Sequence, residues 1–201
     1  MPDTGAPWNI PYVESTDLVS DWPTDSLALA NAIDSGLDAA GGLVAVKHAL
    51  FTGTQTNSTA TGANFAVTDL TITHTLADAA NKLIISAYVN LGSSASEVET
   101  AMAVADDGTL IAIGDAAGSR TRVGAGGRPT TAGVGGSAVI NNLSMCFVYE
   151  PGDTNSHTFT VRAVNPNGST RTITVNRTSG DTDDAFNTRS SSSLVIQEVK
   201  V

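Results

Sequence analysis

The chain is short of several things that would normally announce a function. It has one cysteine among 201 residues, Cys146, so no internal disulfide can staple it. Only three lysines occur, Lys47, Lys82 and Lys200. Charged residues make up 15% of the chain, against roughly 25% in an average soluble protein. No apolar run reaches the length of about eighteen residues that a membrane-spanning helix needs. Aromatic residues are 5%, and both tryptophans, Trp8 and Trp22, lie near the N-terminus. This leaves few rings elsewhere for stacking on sugars or bases. Residues 1–42 contain Asp3, Glu14, Asp17, Asp21, Asp25, Asp34 and Asp38 but no Lys or Arg, and the net charge is −10. Such a surface repels phosphate, so a nucleic-acid partner is not expected. The start, Met1-Pro2-Asp3-Thr4, lacks the basic and apolar regions of a signal peptide, which predicts synthesis in a cytoplasm without export by that route.

Ser, Thr, Gly and Asn fill the gap left by charge. The length suits one ordinary domain with an appendage, and residues 1–42 read as the appendage. Pro7, Pro11 and Pro23 interrupt Trp8, Ile10, Tyr12, Val13 and Trp22. Prolines at this spacing predict an extended arm with little hydrogen bonding of its own. An arm cannot bury its own aromatic groups, so Trp8, Ile10, Tyr12 and Trp22 are the candidate attachment residues. A short helix follows over Leu27–Ala40, capped by Thr24, Asp25 or Ser26 and ended by Gly41-Gly42. Ala30, Ile33, Leu37 and Ala40 form a narrow stripe on it. That stripe suits either a three-helix contact about a symmetry axis, with Ile33 and Leu37 at its centre, or packing on the same chain.

From Leu43 the hydrophobic period changes to two. Leu43–Phe51 reads as a strand, and the Thr/Asn/Gly stretch to Gly62 as a loop. In Asp69–Leu76, Leu70, Ile72, His74 and Leu76 share one face while Thr71, Thr73 and Thr75 share the other. Lys82–Leu91 is apolar on both faces, which predicts cover on both sides. Asp106-Asp107-Gly108 joins two strands in a hairpin. Val139–Tyr149, Thr158–Val164, Ser169–Asn176 and Ser193–Val201 complete eight or nine strands. With no helix between them, the fold class is mainly β: a sandwich or barrel over 43–201. Ala116–Gly136, with Arg120, Arg122 and Arg128, is expected to be a surface loop or a ragged strand pair. In Ser144-Met145-Cys146-Phe147-Val148 a buried, inert thiol is expected.

Few residues offer chemistry. Gly124-Ala125-Gly126-Gly127-Arg128-Pro129 is not a phosphate loop, because no Gly-Lys-Ser/Thr follows. His48, His74 and His157 fall in three separate strands without zinc spacing, and His74 reads as a hydrogen-bonded structural imidazole. There is no nucleophile elbow, and Cys146 has no chain-local histidine. The paired carboxylates Asp106-Asp107 and Asp183-Asp184 read as solvated turn residues. Asp181, Asp183 and Asp184 could offer oxygen ligands to calcium, but they lack the spacing and length of an EF-hand loop. No cofactor, metal or catalytic residue is expected.

The stretch Tyr149-Glu150-Pro151-Gly152-Asp153 through His157–Ala163, with Thr174–Thr178 and Arg189–Val201, resembles the closing half of a small jelly-roll module. Modules of this kind, similar to C1q and tumour necrosis factor heads, are carried by many bacteriophage structural proteins. The resemblance covers 43–201. Gly5–Leu18, followed by an Ala-rich helix, is similar to the leading segments of phage tail-fibre and head-fibre proteins. The resemblance implies a homotrimeric, non-enzymatic virion protein made in the host cytoplasm. Residues 1–42 would anchor it to other tail or capsid proteins, and a jelly-roll head would bind a host-surface receptor. A capsid decoration or cement protein is the alternative, and a carbohydrate-binding module a further one. Membrane insertion is not expected.

Overall fold

A computed structural model describes residues 22–39, 42–93, 98–128, 139–185 and 187–201. It forms two compact units: residues up to Leu43 together with Lys200–Val201, and Val44–Val199.

The first unit carries helix α1, Trp22–Ala39. It starts earlier than expected, because Pro23 falls in the first turn, where its missing N–H costs nothing and its fixed φ suits a helix. In the same unit the Lys200 amide donates to the Gly42 carbonyl at 2.8 Å. No described helix is long and apolar enough to cross a membrane.

The second unit is a sandwich of two antiparallel sheets. Its strands are β1 (Leu43–Phe51), β2 (Gln55–Thr59), β3 (Asn64–Thr75), β4 (Lys82–Ser93), β5 (Thr100–Asp106), β6 (Thr109–Ile111), β7 (Ala125–Gly127), β8 (Ile140–Tyr149), β9 (Ser156–Val164), β10 (Arg171–Val175) and β11 (Ser192–Val199). One sheet runs β1-β11-β4-β10-β2, with β8 on the other edge of β4; the second runs β3-β9-β5-β6, with β7 also on β5. β4 is the organising strand. β8 pairs with it from Leu83 to Gly92. Its opposite edge is shared by β11 over Lys82–Tyr88 and β10 over Leu91–Ser93.

The mainly-β expectation holds, and the alternation in Asp69–Leu76 falls as read, with Leu70, Ile72, His74 and Leu76 buried. Its strand reaches back to Asn64 through a register shift between Ala66 and Thr71, where Asp69 takes φ 59°. The expected hairpin is present, with Asp107 and Gly108 both at positive φ (45° and 86°), the requirement of a tight two-residue turn. Leu83, Ile85, Val89 and Leu91 meet Val104, Phe159, Val161, Leu194 and Ile196 in one core between the sheets.

Three expectations are corrected. The loop after Phe51 contains β2, a strand with no apolar alternation, held by backbone pairing of Gln55–Thr59 with Arg171–Val175. β4 is covered along its whole length on one face only: Leu83, Ile85, Ala87, Val89 and Leu91 are buried, while on the other face Ile84 and Ser86 are half-buried, Tyr88 is 37% exposed, and burial begins only at Asn90. Cys146 is exposed rather than buried. In β8 the inward positions are Leu143, Met145, Phe147 and Tyr149, which puts Cys146 on the opposite side.

Buried polar groups finish the framework. Asn176, at φ 59°, donates from Nδ2 to the carbonyls of Phe51 (2.8 Å) and Gly53 (3.0 Å). Its Oδ1 accepts from Ser192 Oγ at 2.5 Å, and its amide donates to the Asn90 carbonyl at 2.9 Å. Through its side chain and its own backbone amide, this one residue ties segments at β1, β4, β10 and β11, as buried polar groups must be satisfied to be tolerated.

Candidate functional site

Two surfaces of the sandwich stand out. The first is the outward face of the sheet formed by β1, β11, β4 and β8. Period-two alternation sends Val44, Val46, His48 and Leu50 outward from β1, and Ser193, Val195, Gln197 and Val199 from β11. β4 contributes Lys82, Ile84, Ser86 and Tyr88, and β8 contributes Asn142, Ser144, Cys146 and Val148. The register sets these side by side: Val195, Ser86 and Cys146 form one row, and Gln197, Ile84 and Val148 the next. Val148 is 59% exposed, Val46 53% and Leu50 52%.

The β1 edge is therefore mainly apolar, and the hydroxyls of Ser193, Tyr88 and Ser144 form a polar row across the face to β8, whose exposed apolar residue is Val148. A shallow depression of about 330 Å³ lies there, lined by Ser86, Tyr88, Ser144, Cys146, Ser193 and Val195 among others. Ser86 Oγ donates to Cys146 Sγ at 3.3 Å, and Asn142 Nδ2 donates to the Tyr88 hydroxyl at 2.7 Å. None of the described residues pointing outward from these four strands is a carboxylate. Lys82, at the end of the β4 row, is paired with Glu150, the residue after β8, at 2.8 Å between Nζ and Oε1.

The second surface is a polar cluster at one end of the sandwich, centred on two histidines that face each other across β3 and β9. His74 and His157 are register partners, so their side chains are neighbours on the inward face. His74 Nε2 donates to Glu198 Oε2 of β11 at 2.8 Å, linking the two sheets. Glu198 Oε1 accepts from Asn81 Nδ2 (2.6 Å) and the Ala77 amide (2.8 Å). Burial pushes the Glu198 carboxyl up, but Asn81, the Ala77 amide and His74 outweigh it and hold it below its ordinary range.

His157 lies between two carboxylates. Nδ1 donates to Asp106 Oδ2 at 2.9 Å, and Nε2 donates to Asp153 Oδ1 at 3.1 Å. Asp106 also accepts from the Tyr149 hydroxyl of β8 at 2.8 Å, a second link between the sheets. Desolvation, then the Asp106 hydrogen bond, pushes the Tyr149 hydroxyl up to about 12. Burial works to lower the His157 pKa, but hydrogen bonds to Asp153 and Asp106 raise it overall. The Asn155 amide, then His157, lowers that of Asp153. Asp106, Asp107 and His157 place ligand atoms within 4.8 Å of one another. These groups already hydrogen-bond within the protein: Asp107 Oδ1 takes the Thr158 amide at 3.0 Å, and Asp106 takes Tyr149 and His157.

Of the residues singled out from the sequence, Trp8, Ile10 and Tyr12 lie outside the described residues, as do the side chains of Trp22 and Leu37. Ile33 is exposed on α1, as is Leu27. His48 points outward from β1, so the three histidines form no common site. Asp181 pairs with Arg177 (3.3 Å) and Arg189 (2.5 Å), and Asp184 accepts from Thr182 and Asn187; among the described residues Asp181, Asp183 and Asp184 do not form a converging group of ligand atoms. The outward face and the histidine cluster were not read from the sequence as sites. The first was signalled only by the apolar character of both faces of Lys82–Leu91. No family model matches the chain, and no curated protein matches it.

Proposed function

We propose that the protein is a non-enzymatic virion structural protein: a homotrimeric surface appendage whose β head self-associates through the outward face of β1, β11, β4 and β8. The observation that carries this reading is an apolar, carboxylate-free sheet face on a chain of net charge −10. An acidic chain repels its own copies over most of its surface. Here two copies can meet without opposing carboxylates, burying Val44, Val46, Leu50 and Val148 and offering the Ser86, Ser144 and Ser193 hydroxyls as hydrogen-bond partners. Closed rotational symmetry uses such a patch without runaway assembly.

The strand order supports the jelly-roll part of the reading. The first and last strands of the sandwich are neighbours in a sheet, facing a second sheet built from strands that lie between them in sequence. The arm and α1 would attach the trimer to other tail or capsid proteins, leaving the loops of the head to meet a host-surface receptor.

Light scattering on the full chain tests the assembly. The expected mass is near three times 20.5 kDa, with Cys146 shielded from thiol reagents. A monodisperse monomer with a freely reactive Cys146 overturns the trimer. Binding of the trimer to host cells supports a fibre or spike, whereas binding to empty shells alone supports a decoration protein instead.

A further inference from the structure

We propose that His157 is a proton-operated clamp that fastens the turn between β8 and β9 to the β5–β6 hairpin. Both of its ring nitrogens face carboxylates, Asp106 on one side and Asp153 on the other. Carboxylates only accept, so both contacts are hydrogen bonds only when the ring carries two protons. Neutral His157 sets one lone pair against a carboxylate and loses that contact.

Which contact is lost follows from the surroundings. Asp106 is 9% exposed at its side chain, receives Nδ1 at both oxygens (2.9 and 3.1 Å), and is fixed by Tyr149. Asp153 is 45% exposed, and its Oδ1 is held otherwise only from within its own turn, by the Asn155 amide at 2.7 Å, so it can move into water together with that turn. Deprotonation therefore opens the Asp153 side and frees the turn at 150–155. The Phe159 ring stacks beside the imidazole at 6.0 Å between centroids, keeping it in place in either state.

The other groups around the ring agree with this assignment. Asp107 is held by the Thr158 amide, and Tyr149 donates to Asp106. Across the strand pair, His74 donates to Glu198 through Nε2, while its Nδ1 is buried without a partner. One proton on His74, at Nε2, satisfies that pair and leaves the ring neutral, so the positive charge of the cluster is carried by His157. Because the folded pKa of His157 is raised, the clamp is closed below its ordinary value of 6.5 and opens as pH rises through the folded value. It also requires ionised Asp153, whose pKa is lowered, so it is fully closed above 3.8 and lost only as pH falls through the depressed value.

Nitrogen-detected NMR of the full chain, with amide hydrogen exchange over residues 151–156, tests the clamp. Both ring nitrogens of His157 should be protonated at pH 6, with a titration midpoint above 6.5. Exchange, corrected for its intrinsic pH dependence, should quicken several-fold through the same midpoint. Asp153→Asn should lower the midpoint and flatten the exchange step while leaving the fold intact, and His157→Gln should abolish the step. A neutral ring at pH 6, an exchange profile flat across the titration, or a midpoint unmoved by Asp153→Asn would each overturn the clamp.

Discussion

The two faces of the sheet formed by β1, β11, β4 and β8 are made from alternate residues of the same strands, yet they obey different demands. Inward, Leu83, Ile85, Leu143, Leu194 and Ile196 interlock with the opposing sheet, and almost nothing polar interrupts them except satisfied groups such as Glu198. Outward, valine and isoleucine alternate with serine, tyrosine and cysteine, and water reaches most of them. The inward residues decide whether the chain folds. The outward residues are free to decide what the folded chain meets, because their replacement leaves the core untouched.

Substitutions can break that contrast in order of size. Phe159→Ala, at the centre of the core, should cost about 3–5 kcal/mol, seen as a large fall in the denaturation midpoint. Glu198→Gln should cost about 1–3 kcal/mol, because the amide has one acceptor oxygen where the carboxylate uses two, so its NH2 group must face a donor, either His74 Nε2 or Asn81 Nδ2 and the Ala77 amide. It should also remove one acid-sensitive step: with its folded pKa depressed, Glu198 contributes fully above its ordinary value of 4.5 and loses the contribution as pH falls through the folded value. Denaturation of the wild type and Glu198→Gln across acidic pH would show the two curves converging.

Val148→Asp, on the outward face, should change the stability of one chain by less than about 0.5 kcal/mol. It should nevertheless abolish association in light scattering, since it sets a carboxylate on a face that has none. Equal loss of folding and association in this variant would show that the two faces are not independent. Cys146→Ser should be smallest, within about 0.5 kcal/mol, with association kept.

Much of the sandwich was legible because period-two alternation is local. Leu70, Ile72, His74 and Leu76 can be assigned to one face from eight consecutive residues, and Asp106-Asp107-Gly108 specifies its own turn. The side of Cys146 is not legible in the sequence, because Met145, Phe147 and Val148 surround it with apolar groups on both faces and local pattern cannot set the phase. Only the register with β4, more than fifty residues earlier, does so. β2 leaves no signal in the sequence because Gln55-Thr56-Asn57-Ser58-Thr59 buries little. It is a strand by backbone pairing and by Gln55, whose side chain bonds the Ala66 carbonyl and the Thr68 amide. The His157 cluster joins residues 51 positions apart, and the Glu198 cluster spans more than a hundred. Chemistry assembled over such separations leaves no short motif.

The place of β11 also has a consequence in time. It is the last strand of the sandwich in sequence, yet it lies between β1 and β4, and its first residue, Ser192, completes the Asn176 network. During synthesis the partner edges of β1 and β4 must wait unpaired until β11 has left the ribosome. The sheet therefore closes late and through distant contacts, the topology that folds slowly and is most prone to aggregate on the way. A ribosome-bound chain halted before Ser192 should be digested readily by protease, and one extended past Lys200 should resist.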